Sequence, residues 1–181
     1  MTARDVLLAK KRMMFIKGED YNFLAYNILL LIYELGCSLP SKPFKDHRKL
    51  SFLIDFISQP ELASIVARGQ RLGGQLSKRD TKSLASAYAD GESRKHFIER
   101  VLYSLASNGK IRLTKEENLQ CASVSLIKGT IPDSFFADDV FDVERENIAR
   151  IRSISPQIRT CGLGAFLERF FRNQGVQVWH S

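Results

Sequence analysis

The chain has 181 residues, room for one compact domain or for one domain with a sizeable appendage. Its hydrophobic content of 44% and charged content of 26% exclude a disordered or fibrous chain, and 27 Lys and Arg against 20 Asp and Glu favour a polyanion or an acidic protein face as partner. Cys37, Cys121 and Cys161 are odd in number and far apart, with no CxxC pair and no His at ligand spacing; this argues against a zinc site or a disulfide framework and for a reducing compartment.

Residues 1–17 mix Arg4, Lys10, Lys11, Arg12 and Lys17 with Val6, Leu7, Leu8, Met13, Met14, Phe15 and Ile16. They lack the long apolar core and small cleavage residues of a signal peptide. The segment reads either as a solvated basic arm or as a docking segment that uses Leu7, Leu8 and Phe15. Asp20 then caps a helix over 21–35, apolar nearly all round and ended by Gly36, expected in the core or under a partner. Its apolar run is too short for a bilayer, which needs about 20 apolar residues; no membrane partner is expected and the chain reads as cytoplasmic. After a loop with Pro40 and Pro43, Asp46 caps DHRKLSFLIDFI, whose stripe is Leu50, Leu53, Ile54 and Ile57, widened by Phe52 and Phe56. Pro60 starts a helix to about Arg71, and Gly73-Gly74 forms a flexible link.

Ser77 caps a helix carrying Leu84 and Tyr88 that Asp90-Gly91 closes, and Ser93 opens another. In the second, Phe97, Ile98, Val101, Leu102 and Leu105 recur at helical spacing up to Asn108-Gly109. The period then changes to two: Ile111 and Leu113, and later Val124 and Leu126, flank the polar stretch 114–120. Two helices followed by a hairpin with a charged loop are the layout of a winged helix. The expected fold class is therefore mainly α with a small β-hairpin, a helical protein built around a winged-helix-like module. Residues 1–45 would be an N-terminal arm and buried apolar helix, 46–128 the winged-helix-like core, and 129–181 a C-terminal helical segment packing on the core or on a partner. Within that last segment, 129–136 reads as a linker and 143–154 as a helix, and Leu163, Phe166, Leu167, Phe170 and Phe171 make a final stripe before an extended tail.

The familiar catalytic signatures are missing: no GxxxxGK[ST], no GxGxxG after a strand, no HExxH and no GxSxG. His47 in Asp46-His47-Arg48 has a catalytic look, but a cap, an exposed His and a basic first turn explain it. Asp138, Asp139 and Glu144, the acids a metal nuclease would use, are explained by capping and solvation. No catalytic residue, cofactor site or metal ligand is expected, and the chain reads as a binding protein. In a helix–turn–helix, Arg94, Lys95 and Arg100 would lie on the helix presented to DNA, with Lys78, Arg79 and Lys82 on the helix before it. Lys110, Arg112 and Lys115 would lie on the wing, where backbone phosphate is touched. Glu92, Glu99, Glu116 and Glu117 intervene and no row of side chains offers base readout, so a wing that docks on protein fits the same residues. Phe170, Phe171 and Trp179 join Leu7, Leu8 and Phe15 as candidates for partner docking.

The run YNFLAYNILLLIYELGC from Tyr21, DHRKLSFLIDFISQP from Asp46, the helical and hairpin module, and the closing FFRNQGVQVW together resemble the small middle component of ABC-three-component systems. Within that group the chain is most similar to the small subunit of Lamassu-type antiviral defence complexes. The resemblance spans most of the chain through helical apolar patterns, and is most distinctive from Asp46 to Ile57. It implies a non-catalytic adaptor without cofactor, partnered by an SMC-type coiled-coil ATPase and an effector, often a nuclease. Such a subunit would help hold the effector silent near the ATPase heads until foreign phage or plasmid DNA is sensed, with double-stranded DNA as a further contact inside the complex. The alternative is a stand-alone winged-helix DNA-binding regulator.

Overall fold

The computed structural model describes residues 20–117 and 120–179; Leu7, Leu8 and Phe15 lie outside them. Helix α1 (Tyr21–Glu34) begins where Asp20 accepts the Phe23 N–H at 3.0 Å and stops before Gly36, whose positive φ relieves the chain end. A 3₁₀ turn, His47–Lys49, leads into α2 (Leu50–Ser58), in which 50–57 are all buried. Extended Gln59 and then Pro60 at the first helical position turn the chain into α3 (Pro60–Arg71). Helix α4 (Lys78–Ser107) follows, then the antiparallel strands β1 (Ile111–Lys115) and β2 (Ala122–Leu126), paired with Ile111 opposite Leu126. One-turn α5 (Asp133–Phe136), α6 (Asp142–Ile154) and α7 (Leu163–Phe170) complete the described elements. The described residues are mainly helical with one hairpin.

Helix α2 is the centre because it is buried all round, and α1, α3, α4 and α6 cover it. On one side its Phe52 and Phe56 meet Tyr88 of α4 and Phe170 and Phe171 of the last helix, with ring centroids between 5.2 and 5.8 Å for Phe52–Tyr88, Phe52–Phe171, Phe56–Phe170 and Phe56–Phe171. One hydrophobic cluster runs from Phe23 to Val176, so α1, the centre and the C-terminal segment share a core.

Two departures from the sequence reading matter. The helices expected on either side of Asp90–Glu92 are one 30-residue helix, so the helix–turn–helix corner expected there is absent. Gly91 is no terminator: its φ is not in the positive region, and it is buried where a methyl group would collide with the Phe52 ring. Ser93 does not cap; its hydroxyl donates to the Ala89 carbonyl at 3.0 Å, an ordinary bond inside a helix. The second departure is at 129–136, where the expected linker contains α5 and buries Phe136, stacked on Tyr33 at 4.0 Å.

Candidate functional site

Between Asp46 and Ile57 three charged side chains, Asp46, Lys49 and Asp55, are buried. Asp46 has a left-handed backbone, φ 59°, which an Asp tolerates better than a branched residue. That twist aims one carboxylate at two places: Arg48, whose Nε and Nη2 donate at 2.8 Å, and the amide of Leu163 at the start of α7, also 2.8 Å. Burial alone would raise this carboxyl, but the Arg48 and Leu163 bonds outweigh it and hold it below the usual Asp range. Lys49 is fully buried and its ammonium donates to the carbonyls of Ile158 and Cys161, both at 2.6 Å, with the Phe44 ring 4.3 Å away. Burial depresses its pKa. Farther along, Asp55 takes a two-pronged bond from Arg94, at 2.9 and 3.2 Å, and Arg94 also donates to the Ser51 carbonyl at 2.8 Å.

Arg94 is therefore not available to DNA: it is 8% exposed and ties α4 to α2. Lys95 is half-buried, paired with Glu92 at 2.6 Å and lying over the Phe52 ring. Lys78, Arg79, Lys82, Arg100, Arg112 and Lys115 are exposed, and Lys110 is half-buried and donates to the Thr130 carbonyl at 2.8 Å. These do not form one footprint. Lys78 and Arg100 lie on the same helix 22 positions apart, about 33 Å at 1.5 Å per residue, so the cations fall into one group at the start of α4 and another at the hairpin.

The docking candidates divide as well. Phe170 and Phe171 are 0% exposed and belong to the core, because their helix closes over α2. Trp179 is 62% exposed, held by its backbone: its N–H donates to the Tyr88 hydroxyl at 3.1 Å, and that hydroxyl donates back to the Trp179 carbonyl at 2.9 Å.

A surface the sequence reading did not single out lies between α4 and the hairpin. It is a groove of about 500 Å³ lined by Glu99, Leu102 and Tyr103 of α4, Leu113 and Lys115 of β1, and His47, Gln120, Cys121 and Ala122. Tyr103 is 70% exposed. Its signal was present in the sequence: on a helix whose core stripe is Val101, Leu102 and Leu105, a Tyr at 103 points elsewhere. His47, expected to be exposed, is half-buried and its Nδ1 accepts the Ala122 N–H at 2.9 Å, so the ring proton sits on Nε2. Burial lowers the His47 pKa although Asp46 and Glu99 draw it upward, so the ring is neutral at neutral pH.

Asp138 caps a 3₁₀ turn through the Val140 N–H at 2.9 Å, and among the described residues no group of three or more His, Cys, Asp or Glu is placed to hold a metal ion. The three cysteines are free thiols, and burial pushes Cys37 up to about 11. Among the described residues no single helix is long and apolar enough to cross a membrane. In comparisons with known proteins, no family model, curated protein or solved structure matches this chain.

Proposed function

We propose that this chain is a non-catalytic adaptor subunit of an SMC-like ATPase and effector complex of the antiphage or anti-plasmid kind, bridging the ATPase and a nuclease effector and helping restrain the effector until foreign DNA is sensed. The observation that carries the reading is the arrangement of α4. A single helix of 30 residues, about 45 Å long, separates two exposed faces: the basic start with Lys78, Arg79 and Lys82, and the hairpin groove with Tyr103 and Lys115. A bridging subunit needs two faces that partners can occupy at once, held at a fixed distance. The resemblance supplies the class of partner, and the most distinctive part of it, from Asp46 to Ile57, includes Asp46, Lys49 and Asp55, whose bonds hold the frame together.

Co-expression with a coiled-coil ATPase and an effector taken from the genes on either side, followed by size exclusion, tests this; neighbours that encode neither protein count against the reading. A stable complex is expected, and Lys78→Ala with Arg79→Ala should weaken one contact and leave the other. A chain that elutes as a free monomer in the presence of both proteins overturns the reading.

A second reading, a stand-alone winged-helix DNA-binding regulator, is favoured by one observation. Phe44 forms an antiparallel bridge with Val124, so the hairpin gains a third-strand contact from the segment before α2, as a wing does. In that reading the helical corner is α3–α4, and Lys78, Arg79 and Lys82 at the start of α4 face phosphate. The purified chain alone would then bind duplex DNA with steep salt dependence. Lack of binding at low salt removes this reading.

A further inference from the structure

We propose that the outer edge of β1, with the groove beside it, seats an extended acidic segment of a partner subunit, which joins the hairpin as an added strand; this rests on the adaptor reading and names one of its two faces. In an antiparallel pair, alternate residues turn their backbone N–H and C=O toward the partner strand and the others turn them away. Two bonds fix the phase here: Ile127 N–H to the Lys110 carbonyl at 3.0 Å and Glu116 N–H to the Cys121 carbonyl at 3.1 Å. Ile111, Leu113 and Lys115 therefore turn their backbone groups away from β2, and Ala122, Val124 and Leu126 turn theirs away from β1.

The two outer edges are treated differently. On β2, Val124 exchanges both bonds with Phe44 at 2.8 Å, the Leu126 N–H donates to the Cys37 carbonyl at 2.9 Å, and the Ala122 N–H donates to His47 Nδ1. On β1, the outward backbone groups of Leu113 and Lys115 have no hydrogen-bond partner among the described residues. An unpaired edge is a template for another strand. Leu113 and Lys115 also wall the groove. A strand added about 4.8 Å beyond β1 would send every second side chain toward the groove face, where Leu102 and Tyr103 offer apolar and aromatic contact.

Charge selects the occupant. From Lys110 to Lys115 the hairpin carries the exposed cations Arg112 and Lys115 and no acid; Lys110 is tied to the Thr130 carbonyl, Glu116 is bonded by the Ser123 hydroxyl, and Glu99 lies on the α4 wall of the groove beside His96. A second copy of the chain, pairing edge to edge, would bring two basic stretches together, whereas an acidic strand brings carboxylates to one of them.

The test uses the full chain in two assays. In the first, a fluorescein-labelled eight-residue peptide alternating Val and Glu is titrated against the purified chain and followed by anisotropy. Binding is expected, weakened at least tenfold when alternate peptide amides on one edge are N-methylated. Lys115→Pro removes one outward N–H and should also weaken binding at least tenfold with Tm unchanged; Thr114→Pro, which removes an inward N–H, should lower Tm. Absence of binding overturns the proposal, as does binding indifferent to both N-methylation and Lys115→Pro. So does a dimer of the chain alone that Lys115→Pro dissolves, since the edge then belongs to a second copy. In the second assay, co-expression with the ATPase and the effector, Lys115→Pro and Tyr103→Ala should each lose one partner. A complex that forms equally well with both variants sinks the edge and leaves the adaptor reading standing. A wild-type chain that joins neither protein sinks the adaptor reading, and the peptide assay then decides the edge alone.

Discussion

The seam between α2 and its neighbours and the outer edge of β1 put similar polar groups to opposite uses. In the seam, Asp46, Lys49, Asp55 and Arg94 are buried, and each makes at least two polar contacts, because a charge taken from water without partners costs several kcal/mol. At β1, Lys115 is exposed and the outward backbone of Leu113 and Lys115 is unpaired among the described residues, where water or a partner strand can meet it at little cost. The contrast teaches where to look for work in this molecule: charges that are satisfied inside hold the frame, and groups left unsatisfied at the rim are available to something else.

The largest effect should come from breaking the seam. Arg94→Met leaves Asp55 buried without its cation and should cost about 3–5 kcal/mol in urea unfolding. Pairing it with Asp55→Leu should restore part of the loss. An Arg94→Met loss below about 1 kcal/mol would mean the pair is solvated and the contrast is false. Gly91→Ala comes next. A glycine in an open helix interior gains about 1 kcal/mol on that change, but here the methyl group meets Phe52, so a net loss of about 1–3 kcal/mol is expected. Any gain would show that α4 is not seated against α2 at that point.

A smaller effect links seam and hairpin through pH. The folded His47 pKa lies below its ordinary value, so the unfolded chain takes up the proton more readily. The stability this gives is present above the ordinary imidazole value and is lost as pH falls through it toward the folded value. Protonation also removes the acceptor for the Ala122 N–H and so loosens the closed edge of β2. His47→Gln should flatten the Tm–pH curve on the acid side of neutrality; an unchanged curve would place the titration elsewhere. The smallest effect belongs to Lys78→Ala with Arg79→Ala, exposed residues whose loss should change stability by no more than about 0.5 kcal/mol. A larger change would mean the basic end is part of the frame.

Much of the fold could be read from local pattern. Asp20 and Gly36 bracket α1, and the change of period after Asn108-Gly109 places the hairpin, because caps and alternation are properties of neighbouring residues. The misreadings have a common cause in distant residues. Asp90-Gly91-Glu92-Ser93 has every local mark of a stop and a restart, and Phe52 on another helix explains why a glycine stands in the middle of the continuing helix. Arg94 looked like a surface cation, yet it falls on the stripe of Tyr88, Gly91, Ile98 and Val101, with an acid, Asp55, on the apolar helix opposite. Those two facts together would have marked a buried pair. The groove was hidden because its walls come from residues 47, 99, 102, 103, 113, 115 and 120–122, and only the turn of the hairpin over α4 assembles them.

The bonds that Asp46 and Lys49 make have a bearing on how the chain is made. Their acceptors and donor sit at Ile158, Cys161 and Leu163, more than one hundred positions downstream (the Asp46–Leu163 pair is separated by 117 residues). During synthesis the early helices must wait with Lys49 lacking its acceptors and Asp46 holding only Arg48, and these bonds of the packed centre cannot close until residues 158–163 have left the ribosome. A nascent chain halted before residue 158 would keep its aromatic interior open to chaperones, and release of the segment that carries Ile158, Cys161 and Leu163 would act as the latch.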